Sequence, residues 1–353
     1  MKAWSVTEFG APLERLERET PQPAATQVLV RVSHCGVCHT DLHLWQGYYD
    51  IGGGKKLELA SRGVTLPATL GHEIFGEVVA VGPEGDQGAI GRQGVVFPWT
   101  GCGACPACAA EDEHLCVAPR YLGVFTPGGY GDHVLLPDSR YLVPAPGVEP
   151  ALAATYACSG LTAFAALRKA EPFGTDTPLV LIGAGGVGLT AIALLVAQGL
   201  KSFTVVDIDD AALAAARALG APATVNSMAS DDPIDSVKRA AGGAPATIVD
   251  FVGNEATSGL ALDLLRKGGA YVLVGLFGGA LHLPLPSLPI RVLRIEGSYI
   301  GNRALFGELM QLVASGRVPP IPIEERPWSN CTEALRSLER REIRGRVVLR
   351  LDG

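Results

Sequence analysis

Residues 179–207 run as strand, glycine turn, helix, strand and acid, an order that a parallel α/β sheet accommodates and few other folds do. Leu179-Val180-Leu181-Ile182 is an uncharged run of strand length. Gly183-Ala184-Gly185-Gly186-Val187-Gly188 follows at once and fits G-x-G-x-x-G. Such glycines let the backbone turn tightly and approach a pyrophosphate, which then meets the positive end of the helix. The next strand, 203–206, ends in Asp207, at the distance where a carboxylate bonds the adenosine ribose hydroxyls. Asp209 and Asp210 follow, and no basic residue occurs between them and Arg217. A 2′-phosphate would meet repulsion there, so NAD is expected over NADP. Residues 179–200 are uncharged and long enough to cross a bilayer, but the glycines divide them into strand and helix.

The texture around this unit predicts an α/β chain. Strands at 179–182, 203–206, 248–251 and 271–274 alternate with helices at 211–219 and 257–266, and a helical stretch runs from 159 through 167. The first 155 or so residues hold short strand runs, such as 28–32 and 77–81, broken by glycine and proline. They suggest a small, irregular β-barrel. At 353 residues two domains are expected, one of residues 1–158 with 301–353 and one of 159–300.

Cys102, Cys105, Cys108 and Cys116 are spaced three, three and eight residues apart in a glycine- and proline-broken stretch. That spacing suits four thiolates round one zinc ion, a closed site that holds a loop; two disulfides or free thiols are the alternative. Cys38, His72, Glu73 and Cys158 form a second candidate ligand set. The start, Met1-Lys2-Ala3-Trp4-Ser5-Val6, has no signal-peptide pattern, so a reducing cytoplasm is expected for the eight cysteines. The net charge of −7 argues against nucleic acid or an anionic membrane as partner.

Cys38 lies in Gly36-Val37-Cys38-His39-Thr40-Asp41-Leu42-His43, His72 in Gly71-His72-Glu73, and Cys158 in Ala157-Cys158-Ser159-Gly160. With the cysteine loop and the nucleotide turn, these segments resemble the zinc-dependent alcohol dehydrogenases of the medium-chain dehydrogenase/reductase family, in the family's order along the whole chain. The resemblance implies a GroES-like β-barrel catalytic domain and a Rossmann domain with a doubly wound parallel sheet. A cleft between them would hold zinc beside nicotinamide. Cys38, His72 and Cys158 would bind a reactive zinc with its fourth position open, and Glu73 would lie behind the metal as an alternative or second-sphere ligand. Asp41 would accept a hydrogen bond from His72. A proton would leave the substrate through the Thr40 hydroxyl, the cofactor ribose and His43.

By the same resemblance Trp99 and Tyr121 line the substrate pocket, and Arg346 meets the pyrophosphate. Backbone of Val274, Gly275, Leu276, Ser298 and Tyr299 frames the nicotinamide. The expected activity is reversible hydride transfer between a hydrophobic primary or secondary alcohol and NAD, with two zinc ions per chain and a homodimer or homotetramer. A polyol or amino-alcohol dehydrogenase, or a non-catalytic zinc protein of the same fold, is the alternative. Read without the family, Thr40 would cap a helix at 41–45, His43 would be an exposed polar side chain, and Cys35 and Cys331 would be packing. The stretch between His43 and Gly71, with Gly52-Gly53-Gly54, is expected as a mobile flap, an exposed insertion or an interface arm.

Overall fold

The computed structural model describes residues 1–172 and 178–351. The β-rich part is built on the long antiparallel pair Val28–Gly36 and Glu73–Val81. Register shifts at Leu29/Val30 and Val32/His34 curl it toward closure. Its sheet runs in the order Leu142–Val143, Gln93–Val96, Glu73–Val81, Val28–Gly36, Arg346–Arg350, Ile323–Pro327. The chain's tail therefore returns to the sheet its beginning laid down.

The second sheet has six parallel strands, in the order Ala223–Asn226, Thr204–Asp207, Leu179–Ile182, Thr247–Asp250, Ala270–Leu273, Arg294–Gly297. The order reverses beside Leu179–Ile182, the switch point where open α/β sheets bind ligands. One face packs Leu189, Ile192, Leu195 and Leu213 into a core shared with the barrel. The other packs Val180, Ile248, Val237 and Leu264. Helices thus cover both faces.

Element ends depart from the sequence pattern where caps decide. The helix expected at 211–219 is Asp210–Ala218, because Asp209 accepts the Ala211 N–H at 2.8 Å. The one expected at 257–266 is Glu255–Leu264, set by a reciprocal cap between Asn254 and Thr257. The helix expected at 41–45 is His39–Gln46; its cap is Cys38 and not Thr40, and the Asp41 carboxylate accepts the Cys38 N–H at 2.9 Å. The helical stretch expected from 159 begins at Pro150 and runs to Ala170, with a π-turn over Tyr156–Gly160. That helix is long and apolar enough to cross a bilayer, but its residues lie buried inside the protein.

The insertion expected to be a flap, insertion or arm is a hairpin, Tyr48–Asp50 with Lys56–Glu58. It is seated on the second sheet's loops: a methyl group on Gly52 would lie 2.8 Å from the Ala280 nitrogen, and one on Gly278 2.6 Å from the Asp50 carbonyl.

The glycine turn is equally tight. Gly183 has φ +95°, and a β-carbon on Gly188 would fall 1.9 Å from the Gly183 carbonyl oxygen. Gly188→Ala should therefore push the helix off the sheet and destabilise the chain by about 1–3 kcal/mol, as overpacking does, read as a lower midpoint in urea unfolding.

Candidate active site

Three segments distant in sequence converge where barrel and parallel sheet meet. Cys38 caps the first helix, His72 follows the turn at Gly71, and Cys158 projects from the π-turn of the long helix. The two sulfurs stand 3.9 Å apart, and with a His72 ring nitrogen all three ligand atoms lie within 4.8 Å of one another. Zinc bonds of about 2.3 Å at tetrahedral angles require sulfurs about 3.8 Å apart. All three residues are buried, and neither nitrogen of His72 has a hydrogen-bond partner. The Cys38 thiol is drawn well below its usual pKa, first by the Cys158 sulfur, whose own thiol is pushed up by the same contact. Two soft donors and an unpartnered imidazole in a dry interior fit a zinc ion.

Asp41 organises this set. Its fully buried carboxylate accepts the N–H of Cys38 at 2.9 Å and of Gly71 at 3.0 Å, and stands 3.3 Å from His72 Nδ1. One side chain thus ties two ligand-bearing segments together. Behind it, Glu73 is also fully buried, accepts the Ser159 N–H at 3.2 Å and pairs with Arg346. Burial pushes the Glu73 carboxyl up to about 7, against the opposing pull of Arg346. Arg346, expected at the pyrophosphate, is engaged first by this ion pair. Its side chain nonetheless lies against the nucleotide turn, since a β-carbon on Gly186 would fall 2.3 Å from Arg346 Cδ.

The nucleotide end is shaped by Asp207, whose carboxylate accepts the N–H groups of Ala184 at 2.6 Å, Ile208 at 2.7 Å and Asp209 at 3.0 Å. Val187 sits half-buried in the first turn of the helix. Val274 and Gly275 leave the strand Ala270–Leu273, and a methyl group on Gly275 would lie 2.0 Å from the Val252 carbonyl. Leu276 is exposed; Ser298 is buried with its hydroxyl unpartnered.

Aromatic rings form the opposite wall. Trp99 is buried, donates to the Ala157 carbonyl at 2.9 Å, and lies 5.2 Å from the His72 ring, 5.3 Å from Tyr121 and 6.2 Å from Tyr299. Tyr121 spends its hydroxyl on the His114 carbonyl at 2.8 Å. Thr40 lies half-buried in the first helix, and His43 on the same helix packs at a tilt against Tyr49 of the hairpin, the ring centroids 4.6 Å apart. Tyr49 and His39 are members of this cleft that sequence reading passed over. His39 packs at 4.7 Å on Phe277, and burial lowers its pKa to about 4. Its position directly after Cys38 was the available signal; Phe277 had none. A cavity of about 810 Å³ on the outer face of the barrel, beside Arg31, Phe75 and Trp328, includes none of these residues.

The four loop cysteines also converge. Cys105 and Cys108 sulfurs are 3.6 Å apart, Cys105 and Cys116 3.7 Å, and Cys102 and Cys108 4.0 Å. These are tetrahedral-edge separations rather than disulfide bonds, and all eight cysteines are unpaired.

A glycine turn of dinucleotide type, linked through Arg346 and Glu73 to a buried three-residue cluster fit for a metal, is the layout of a nicotinamide-linked, metal-dependent dehydrogenase. Residues 24–147 match the alcohol dehydrogenase GroES-like domain family and residues 186–315 the zinc-binding dehydrogenase family. An NAD-dependent alcohol dehydrogenase of Sulfurisphaera tokodaii is 36% identical over 352 residues, covering 99% of each chain. The alcohol dehydrogenase of the archaeon Aeropyrum pernix superposes with a TM-score of 0.87 at 29% identity, covering 99% of this chain and 100% of that one. Acetophenone reductase from Geotrichum candidum, solved in complex with NAD, gives 0.85 at 29% identity, covering 99% and 96%. The chain belongs to the zinc-type medium-chain alcohol dehydrogenases, and it is an NAD-dependent oxidoreductase with a GroES-like part and a Rossmann-like parallel sheet.

The buried Glu73–Arg346 pair makes a stability prediction. Glu73→Ala leaves an uncompensated guanidinium in the interior and should cost about 3–5 kcal/mol in urea unfolding. Glu73→Ala combined with Arg346→Met should recover most of that loss, because no stranded charge remains.

Proposed function

We propose that this chain interconverts hydrophobic primary or secondary alcohols, aryl-bearing ones in particular, with their aldehydes or ketones. The observation that carries this reading is the convergence of Cys38, His72 and Cys158 beneath the aromatic wall of Trp99, Tyr121 and Tyr299. The acetophenone reductase among the structural relatives, named for an aryl ketone, supports it. A polyol or amino-alcohol substrate would need polar groups aimed at a second hydroxyl or an ammonium, and the wall by Trp99 is built of rings.

Cys38, His72 and Cys158 would hold a reactive zinc and the four loop cysteines a structural one, two per chain. Bound there, the reactive metal would supply Lewis acidity to a hydroxyl or carbonyl, and NAD would serve as the hydride carrier. The protein does the rest. Asp41 fixes the imidazole ring of His72, and Glu73 with Arg346 backs the site with a dry, charge-balanced floor. Trp99 excludes water and shapes the pocket. Thr40 and His43 are three residues apart on one helix, hence on one face, and with the cofactor ribose between them would relay the hydroxyl proton outward. Burial lowers the His43 pKa, which disfavours a standing charge on the ring. Val274, Gly275, Leu276, Ser298 and Tyr299 would frame the nicotinamide, with Gly183, Gly185, Gly186, Val187 and Gly188 at the pyrophosphate and Asp207 at the ribose.

The division into residues 1–158 with 301–353 and 159–300 belongs to the same reading; the tail strands in the barrel sheet support it. Unpaired cysteines support a reducing, cytoplasmic setting. A homo-oligomer is supported by the sheet edge at Arg294–Gly297, flanked by Leu285, Ile290 and Val292 at 78, 68 and 61% exposure.

Cys38→Ser should abolish turnover of benzylic alcohols, keep NADH binding by fluorescence, and lower the zinc content from about two ions per chain to about one. Unchanged turnover would overturn the reactive-metal assignment. Ile290→Asp at the apolar edge should reduce the assembly's mass in light scattering; an unchanged mass would place the interface elsewhere.

A further inference from the structure

The loop between the last helix, Cys331–Glu339, and the last strand, Arg346–Arg350, carries a cation that the dinucleotide reading leaves unused. Arg344 Nη2 lies 2.7 Å from Asp209 Oδ2, and Nη1 donates to the Arg341 carbonyl at 2.9 Å. Asp209 caps the helix Asp210–Ala218 through its other oxygen, and its N–H goes to Asp207 Oδ1 at 3.0 Å. A guanidinium from the tail is thereby anchored on the residue two places after the ribose-side carboxylate, although no base follows Asp207 in sequence before Arg217. Arg217, the first base that follows, is tied to Thr224 Oγ1 at 2.7 Å.

The rim of the adenosine pocket thus holds two opposed charges that are held very differently. Asp207 is fixed by three backbone N–H groups. Arg344 is loosely held, its side chain being 48% and that of Asp209 36% exposed. Ion pairs this open contribute little to stability, so the guanidinium can leave Asp209 for a stronger dianion. Its planar fork matches two phosphate oxygens. We infer that Arg344 is a cofactor-selectivity residue, the latent ligand of a 2′-phosphate. The preference for NAD then rests on Asp207 outweighing Arg344, and not on the lack of a cation at the rim. The inference rests on the dinucleotide reading of the turn at Gly183–Gly188.

Calorimetric binding of adenosine 2′,5′-bisphosphate and of ADP, with kcat/KM for NADP and NAD, tests it in the wild type, Asp207→Ser, Arg344→Ala and the double variant. Asp207→Ser should raise use of NADP relative to NAD by at least about tenfold, as removal of a repelling charge implies. Arg344→Ala in that background should then lose about 10- to 100-fold in NADP use and bisphosphate affinity, the worth of a charge-assisted bond, with a far smaller change for NAD and ADP. Arg344→Lys should retain part of the gain. If Asp207→Ser fails to fold, the Arg344→Ala chain alone still decides: the ratio of bisphosphate to ADP affinity should fall several-fold. Equal losses for both ligands, or none, overturn the role of Arg344 and leave the cofactor site intact. A wild type that binds neither ADP nor NAD would overturn the cofactor reading and this inference with it.

Discussion

The site depends on one carboxylate that never needs to touch a substrate. Asp41 is wholly enclosed, and its two oxygens are committed to the backbone of Cys38 and of Gly71. Those two bonds set how far the first sulfur stands from the imidazole that follows Gly71. Because the carboxylate also faces His72 Nδ1, it favours the tautomer whose other nitrogen is free for a metal. A buried anion of this kind is tolerated because donors and a cation-capable ring surround it.

A second buried carboxylate links the chemistry to the cofactor. Glu73 begins a barrel strand, Arg346 begins the last strand, and Arg346 in turn packs on Gly186 of the nucleotide turn. A single contact chain therefore runs from the cluster of Cys38, His72 and Cys158 to the glycine turn. The tail's return to the barrel sheet makes this possible, since it carries Arg346 to Glu73 and Arg344 to Asp209.

What could be read from the residues alone follows from how local each feature is. The turn at Gly183, the acid at Asp207 and the four loop cysteines each carry their pattern within a short spacing, and the structure shows a tight turn at a strand end, a carboxylate that holds that turn's backbone, and a sulfur cluster. Cys38, His72 and Cys158 were placed by family resemblance only, because packing and not spacing brings them together. The partners of Arg346 and Arg344 and the packing of His39 on Phe277 join residues from distant segments, and no local pattern announces them. Helix ends at Asp209 and Asn254 slipped by a residue or two because a side-chain cap, not hydrophobic period, decides where a helix starts. The long helix begins nine residues before the expected start; four of its first nine residues are alanine, which leaves too little periodic contrast to declare a face.

The widened turn at Tyr156–Gly160 sets a limit on how this protein can vary. Such a turn holds one more residue than the surrounding spiral, so it shifts the phase of everything before it relative to everything after. Here that phase aims Cys158 at the other sulfur and the Ser159 N–H at Glu73. Loss of one residue from the preceding spiral would let the backbone relax to ordinary pitch and swing the thiol about 100° round the axis, away from the cluster. The count of residues between Pro150 and Cys158 is therefore as much a part of this cluster's geometry as the cysteine.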